Sequence, residues 1–337
     1  MASAQSSAVA GFRSRGAAIG GVVPPVSLLL VVGAAGLVVG SLRSSVFAQL
    51  TVQGLALGAV YGSLALALVL VYRSNLVVNL AQGERAMATT YIAYQLIKWG
   101  LSYWEAFVAT LAIAFVLGTV LEVVLVRPVQ HRSVIAAVIV TVGLFILIDG
   151  VVNWIWGGDF KYMQTPFGTK TYHVGGVSIA RLYPGMLGVV LVSVVLVWAL
   201  FRFTKLGLGM RAAALRPAES ALVGVRVDWM LAIGWGLAAV LGAIAGLMAE
   251  PSQFFLDPTL MQPILVYAFA AAVLGGLESP GGAVVGGLAI GVSLNLVVQY
   301  VHPITSELQT PFAFAVLLVV LLLKPSGLFG RAEVRRV

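Results

Sequence analysis

Residues 44–72 read SSVFAQLTVQGLALGAVYGSLALALVLVY, a stretch between Arg43 and Arg73 without a single charge. A bilayer core of ~30 Å is crossed by ~20 apolar residues in helical form, so this stretch can span with some tilt. The pattern repeats on both sides of it. Apolar stretches bounded by charge or turn residues run over Gly16–Leu42, Ser44–Tyr72, Leu76–Ile97, Ala106–Val126, Ser133–Trp156, Tyr183–Phe201, Trp229–Ala249, Pro258–Leu277, Gly281–Val301 and Leu308–Leu323. They predict an all-α polytopic membrane protein of about ten transmembrane helices, some broken or short.

The composition agrees. Of 337 residues, 60% are hydrophobic and 9% charged, with a mean hydropathy of +1.03. A soluble domain holds roughly 45–50% apolar and about 25% charged residues, so too few charges exist here to cover a water-soluble globule. With no cysteine, disulfides, thiol nucleophiles and thiolate metal sites are excluded. His131, His173 and His302 are scattered and make no metal or catalytic set.

The net charge of +8 becomes informative once mapped. With the N-terminus inside, 15 of the 20 Lys and Arg fall on inner connections and 5 on outer ones, which is the bias expected of cytoplasmic loops. Both termini are therefore expected in the cytoplasm, and the surplus reads as a topology and lipid signal, not a nucleic-acid footprint. The chain reads as a single transmembrane domain, 1–337. It has a cytoplasmic tail at 1–15, an extracytoplasmic loop at 157–182 that suits a small hairpin, a cytoplasmic loop at 204–228 and a cytoplasmic tail at 324–337.

Three constellations bear on function. Between Arg85 and Lys98 only twelve residues remain, about 18 Å of helix, too short to cross. The third span must start upstream, drawing Asn79, Gln82, Gly83 and Glu84, with Arg85, into or near the membrane. Polar groups there usually face a bundle interior or a water-filled cavity, and a helix broken at Gly83 would expose backbone groups, as transporters do. The alternative is a cytoplasmic loop with Glu84 and Arg85 solvated at the interface, and within the membrane Glu84 can also serve as a structural partner of Arg85 without touching substrate. Asp149 and Asn153, one turn apart in the fifth span, are further candidates for a path, or structural. Glu122 can snorkel or pair with Arg127.

The second constellation is the basic inner segment Gly207–Gly224. Pro217 suits a helix start and Gly224 its stop. Ala218, Ala221 and Leu222 fall on one apolar face between them, and Gly207 and Arg211 precede them. A short amphipathic helix results, fit for a partner's groove or for resting on lipid. The third is glycine spacing: Gly54, Gly58 and Gly62, then Gly275 and Gly276, then Gly282 and Gly286, with Gly287/Gly291 and Gly242/Gly246 besides. Small residues four apart let membrane helices approach closely.

At these motifs the sequence resembles the permease subunits of branched-chain amino acid ABC transporters, within a wider group that includes urea and ribose permeases. The resemblance runs from about Leu50 to Gly330. It is carried by Tyr72-Arg73, Val78 through Glu84, Gly207 through Gly224, Ala271 through Gly287, and the closing Lys324-Pro325-Ser326-Gly327-Leu328-Phe329-Gly330. It implies an ATP-driven importer of branched-chain amino acids or related small polar solutes, working by alternating access in the bacterial inner (plasma) membrane. The implied partners are two cytoplasmic ABC ATPases docked on a coupling helix at Pro217–Val223, a second permease, identical or paralogous, and an extracytoplasmic substrate-binding protein. ATP and Mg would be used by the ATPases, and this chain would bind no cofactor and have no ATPase site. Two positions depart from the family's habit. Arg216 stands where Asn or Asp often caps the coupling helix, and Arg85 stands where an apolar residue is common, which favours a carboxylate-bearing or otherwise atypical cargo. A different reading of the residues, a stand-alone channel or ion-coupled secondary transporter, has no use for the Gly207–Gly224 segment.

Overall fold

The computed structural model describes residues 44–75, 78–130, 134–168, 170–174, 177–300, 306–324 and 326–330. The expected first span, Gly16–Leu42, and both termini lie outside these residues. The described elements are α1 (Ser44–Asn75), α2 (Gln82–Lys98), α3 (Tyr103–Leu121), α4 (Arg127–Gln130), α5 (Val134–Trp156), β1 (Thr171–Val174), β2 (Val177–Ala180), α6 (Leu182–Phe203), α7 (Lys205–Leu215), α8 (Pro217–Leu222), α9 (Val227–Gln253), α10 (Met261–Gly275), α11 (Pro280–Tyr300) and α12 (Gln309–Leu323). A π-helical turn, Glu122–Val126, joins α3 to α4. The described residues are all-α apart from a bridge between Lys161 and Leu256 and one hairpin, in which β1 and β2 pair antiparallel from Thr171 opposite Ala180 to Val174 opposite Val177. It occupies the loop where the sequence suits one.

Among the described residues, six helices are long and apolar enough to cross a membrane: Ser45–Ser74, Tyr103–Val129, Ile135–Trp156, Leu182–Phe203, Val227–Gln253 and Pro280–Tyr300. Three shorter ones accompany them. Helices α10 and α12, at 15 residues each, extend only about 22 Å, and α2, at 17 residues, about 26 Å. Helices α1 and α9 form the centre and are buried for most of their length. Helices α3, α5 and α6 carry exposed apolar side chains on their outer faces, among them Val108, Ile135, Ile146 and Leu196. In a chain of this hydropathy such a rim is lipid-facing surface.

What lets α1 lie at the centre is its glycine stripe. A methyl group built on Gly58 would stand 2.7 Å from the Gly287 carbonyl oxygen, and one on Gly54 would stand 2.7 Å from the Val292 Cα. Both neighbours are backbone of α11, so the two helices touch main chain to main chain. Gly282 and Gly286 serve the α10–α11 contact in the same way, against Gly275 and Ala271. The end of α10 turns at Gly276, whose φ of 98° suits glycine alone. The closing segment caps it: Leu328 N–H donates to the Leu274 carbonyl at 2.8 Å and Phe329 N–H to Gly275 at 3.2 Å.

Candidate functional site

The sequence-derived path residues converge at the start of α2. This helix begins in the bundle's interior. Gln82 Nε2 donates to the Ala238 carbonyl at 2.8 Å, a point eleven residues, or roughly 17 Å, along α9 from Val227. That is about half a bilayer core. Less than one turn further along α9, the Ser63 hydroxyl of α1 donates to the Leu241 carbonyl at 3.1 Å. The chain thus returns from Asn75 through a non-helical stretch, 78–81, before α2 starts. The break expected at Gly83 falls one residue earlier, because Asn79 ends the irregular stretch. Its side-chain oxygen takes the Ala81 N–H at 3.2 Å and its amide donates to Gln82 Oε1 at 3.2 Å. Gly83 packs under Leu265 and the Met261 carbonyl, where a methyl would meet atoms at 3.2 to 3.4 Å.

Asn79, Gln82, Glu84 and Arg85 are all buried, at 0, 0, 1 and 5% exposure. This disposes of the solvated-loop alternative for these residues. Glu84 and Arg85 do not pair with each other. Arg85 donates to Gln82 Oε1 and lays its guanidinium 5.1 Å from the Trp235 ring centroid, a cation–π contact strengthened by desolvation. Its Nε and Nη1 have no hydrogen-bond partner, and among the described residues no carboxylate lies within ion-pair distance. Glu84 turns instead to Gln262, in the first turn of α10, with Asp149 of α5 within electrostatic reach. The first turns of two short helices therefore lie beside this carboxylate, Glu84 buried in α2 and Gln262 exposed in α10. A helix N-terminus carries about half a positive charge, which gives this placement its physical sense.

Asp149 and Asn153 are tied together, with Asn153 Nδ2 donating to the Asp149 carbonyl at 2.9 Å and to its Oδ1 at 3.1 Å. Both are half-buried, so Asp149 borders the cluster and Asn153 stands a turn away. Gln262, Trp235 and Ser63 belong to the cluster and were not singled out by sequence reasoning. Gln262 was findable as a polar residue within an apolar stretch, whereas Trp235 carried no signal in its neighbours. Glu250, near the end of α9, is 1% exposed and lies against the Met163 backbone N–H.

The second constellation forms two short helices in series. Thr204 caps α7 by accepting the Gly207 N–H at 3.1 Å. Pro217 opens α8 as expected, and Gly224 ends it with φ 87°. Arg216 makes no cap and pairs with Glu219 at 2.9 Å. Ala218, Ala221, Leu222 and Val223 are exposed, Leu222 at 88% and Val223 at 80%. Helix α7 holds this pair to α9, with Gly209 against Met230 and Gly234 against the Met210 methyl. Arg127 adds a tie, bonding both Glu122 at 3.1 Å and the Asp228 carbonyl at 3.0 Å. The beginning of α9 is thus gripped from two sides, and the same helix carries Trp235 and Ala238 to the buried cluster.

A many-span α-helical bundle that gathers its polar groups around a helix start in its interior is the architecture of a membrane transport protein. The chain belongs to the family described as "Branched-chain amino acid transport system / permease component", matched over residues 50–321. It is 28% identical over 306 residues to the "High-affinity branched-chain amino acid transport system permease protein LivH" of Escherichia coli strain K12, covering 86% of this chain and 98% of that one. BraD of Pseudomonas aeruginosa, named a permease of the same kind, is 28% identical over the same shares. The "Fructose import permease protein FruF" of Bifidobacterium longum is 24% identical, covering 72% of this chain and 68% of that one. The chain is accordingly an ABC importer permease subunit, a multi-pass protein of the inner membrane without an ATPase site of its own. It works with ATPase and substrate-binding partners.

Proposed function

We propose that this subunit forms half of a path for branched-chain amino acids or related small polar solutes, in a chain of ten spans with both termini cytoplasmic. The six long apolar helices, the two short apolar helices α10 and α12, and α2, with 16–42 added, make ten, and the fifteen-to-five charge bias favours that orientation. Two ATPases, a second permease and an extracytoplasmic binding protein complete the assembly, and ATP and Mg are used by the ATPases. Substrate passes by alternating access, with Asn79, Gln82, Gly83, Glu84 and Arg85 on or beside the path and Asp149 at its border. The observation that carries this reading is the bared apolar tip of α8 on a mount, α7, that is packed to the start of α9. An ATPase gripping Ala218, Ala221 and Leu222 moves α9, and α9 holds Gln82 and Arg85.

Affinity purification of the tagged chain in mild detergent tests the assembly. ATPase subunits co-purify if the reading holds, and a solitary chain that still transports would remove it. The coupling role has its own test. Ala221→Arg places a charge in what becomes a desolvated interface, at about 3 kcal/mol or more. Substrate-stimulated ATP hydrolysis is expected to disappear while membrane insertion, followed by protease protection, stays normal. Undiminished stimulation would take α8 out of the mechanism.

A further inference from the structure

At the end of the bundle that holds α7, a groove of about 300 Å³ opens between α1, α6, α7 and the start of α11. Three guanidinium groups share its lining: Arg73 from the last turn of α1, Arg202 from the last turn of α6, and Arg211 from α7. Among the described residues, none of the three has a carboxylate within 4 Å. Glu278 lies farther off, within electrostatic reach of Arg73, and Arg211 is close enough to Arg73 to repel it. Three cations held near one another with one distant counter-charge leave a site of strong positive potential.

The rest of the lining is apolar, and it is long. Leu66 lies seven residues before Arg73 on α1, and Val194 lies eight before Arg202 on α6, so the walls rise roughly 10–12 Å from the arginines toward the membrane interior. Trp198, 57% exposed, stands between these levels, the kind of ring that sits at headgroup height. A free anion has no use for an apolar trough of that length. A protein segment has no reason to meet three arginines that lack a described carboxylate within 4 Å unless it brings acid, although Arg211 Nε donates to the Gly207 carbonyl at 3.3 Å. The chain's own apolar stretch at 16–42 is preceded by Arg13 and Arg15. A phosphodiester with a hydrocarbon tail satisfies both halves, since guanidinium groups fork onto phosphate oxygens and basic pockets between membrane helices take anionic headgroups.

We infer that this groove is a specific site for one anionic phospholipid, its phosphate on Arg73, Arg202 and Arg211 and an acyl chain along the α1–α6 seam. Because Arg211 belongs to α7, the lipid ties the mount of α8 to the two spans beside it. The inference uses the groove's geometry alone and does not depend on which solute is carried.

The test is native mass spectrometry of the full chain, purified in mild detergent and titrated with phosphatidylglycerol or phosphatidylcholine. The wild type is expected to keep one phosphatidylglycerol and to prefer it over phosphatidylcholine. The triple variant R73Q/R202Q/R211Q is expected to bind it roughly a hundredfold more weakly, about a factor of five for each guanidinium. Val197→Trp, which fills the trough and leaves every charge in place, is expected to lose the lipid as well. Lys98→Gln/Lys170→Gln/Arg181→Gln removes as much charge elsewhere and should retain it. Thermal unfolding in detergent identifies any variant that has not folded, and the two groove variants act by different means, so either one suffices. Equal retention by wild type and both groove variants would place the lipid elsewhere on the protein and overturn the proposal. So would equal binding of the two lipids. Displacement of the lipid by inorganic phosphate alone would make the ligand a free anion and overturn it too.

Discussion

Glu84→Ala is expected to reduce substrate uptake at least tenfold in reconstituted vesicles, with a clear loss of thermal stability, while Glu333→Gln in the tail leaves both unchanged. The reason lies in the pairing of helix starts. Glu84 is 1% exposed, occupies the first turn of α2 and faces Gln262 in the first turn of α10. An anion at a partly buried helix N-terminus is worth up to about 2 kcal/mol, and this one faces two. Without it, the buried start of α2 loses the carboxylate of its own first turn, and α2 and α10 lose the group that lies between them. Glu84→Gln separates charge from shape. It keeps the volume and one acceptor, so its stability should fall less than that of the alanine variant, whereas its uptake should fall nearly as far. Uptake by Glu84→Ala equal to that of Glu333→Gln would show that the buried carboxylate plays no part in transport.

Gly58→Val is expected to prevent the folded protein from accumulating, with less than about a tenth of wild-type levels recovered in monodisperse form. The new Cβ would stand 2.7 Å from the Gly287 carbonyl oxygen and 2.8 Å from the Leu288 Cα. Neither can swing aside as a side chain would. The helices α1 and α11 must separate, and separation opens their whole shared seam, from Gly54 against Val292 to Gly62 against Val284. Overpacking an ordinary core costs about 1–3 kcal/mol, and a clash of backbone with backbone at the central contact belongs above that range. The chain supplies its own control. Gly143 in α5 has no atom within 4 Å of where its Cβ would be, so Gly143→Val should accumulate normally. If Gly58→Val accumulated as well as Gly143→Val, the α1–α11 contact would not be what holds the centre together.

The two glycines also mark the boundary of what the sequence could say. Gly54, Gly58 and Gly62 announce a close contact by their spacing alone, yet nothing local identifies α11 as the helix that meets them. Residence in a membrane, helical form and the six long apolar helices were legible because they follow from local chemistry. A charge-free stretch must leave water, and a lipid-exposed backbone must satisfy its own hydrogen bonds. The helix at Pro217–Leu222 was legible for the same reason, since Pro217 and Gly224 set its two ends within a few residues.

The site was legible only in part. The sequence showed that Asn79 through Arg85 had to be drawn toward the membrane, because twelve residues cannot cross it. It could not show that Glu84 and Arg85, adjacent in the chain, serve different neighbours. Successive residues on a helix point about 100° apart, so Glu84 meets α10 while Arg85 meets Trp235 of α9. Gln262 and Trp235 lie far from residue 84 along the chain, and only packing brings them to it. Glu250 illustrates the same limit, since its position near the end of a span suggests a surface and its neighbours bury it. The sequence by itself determined which segments leave water and where helices begin and end, because hydropathy and capping act over a few residues. Only the tertiary structure decided which buried charge faces which helix, because that depends on contacts between segments the chain separates by well over a hundred residues.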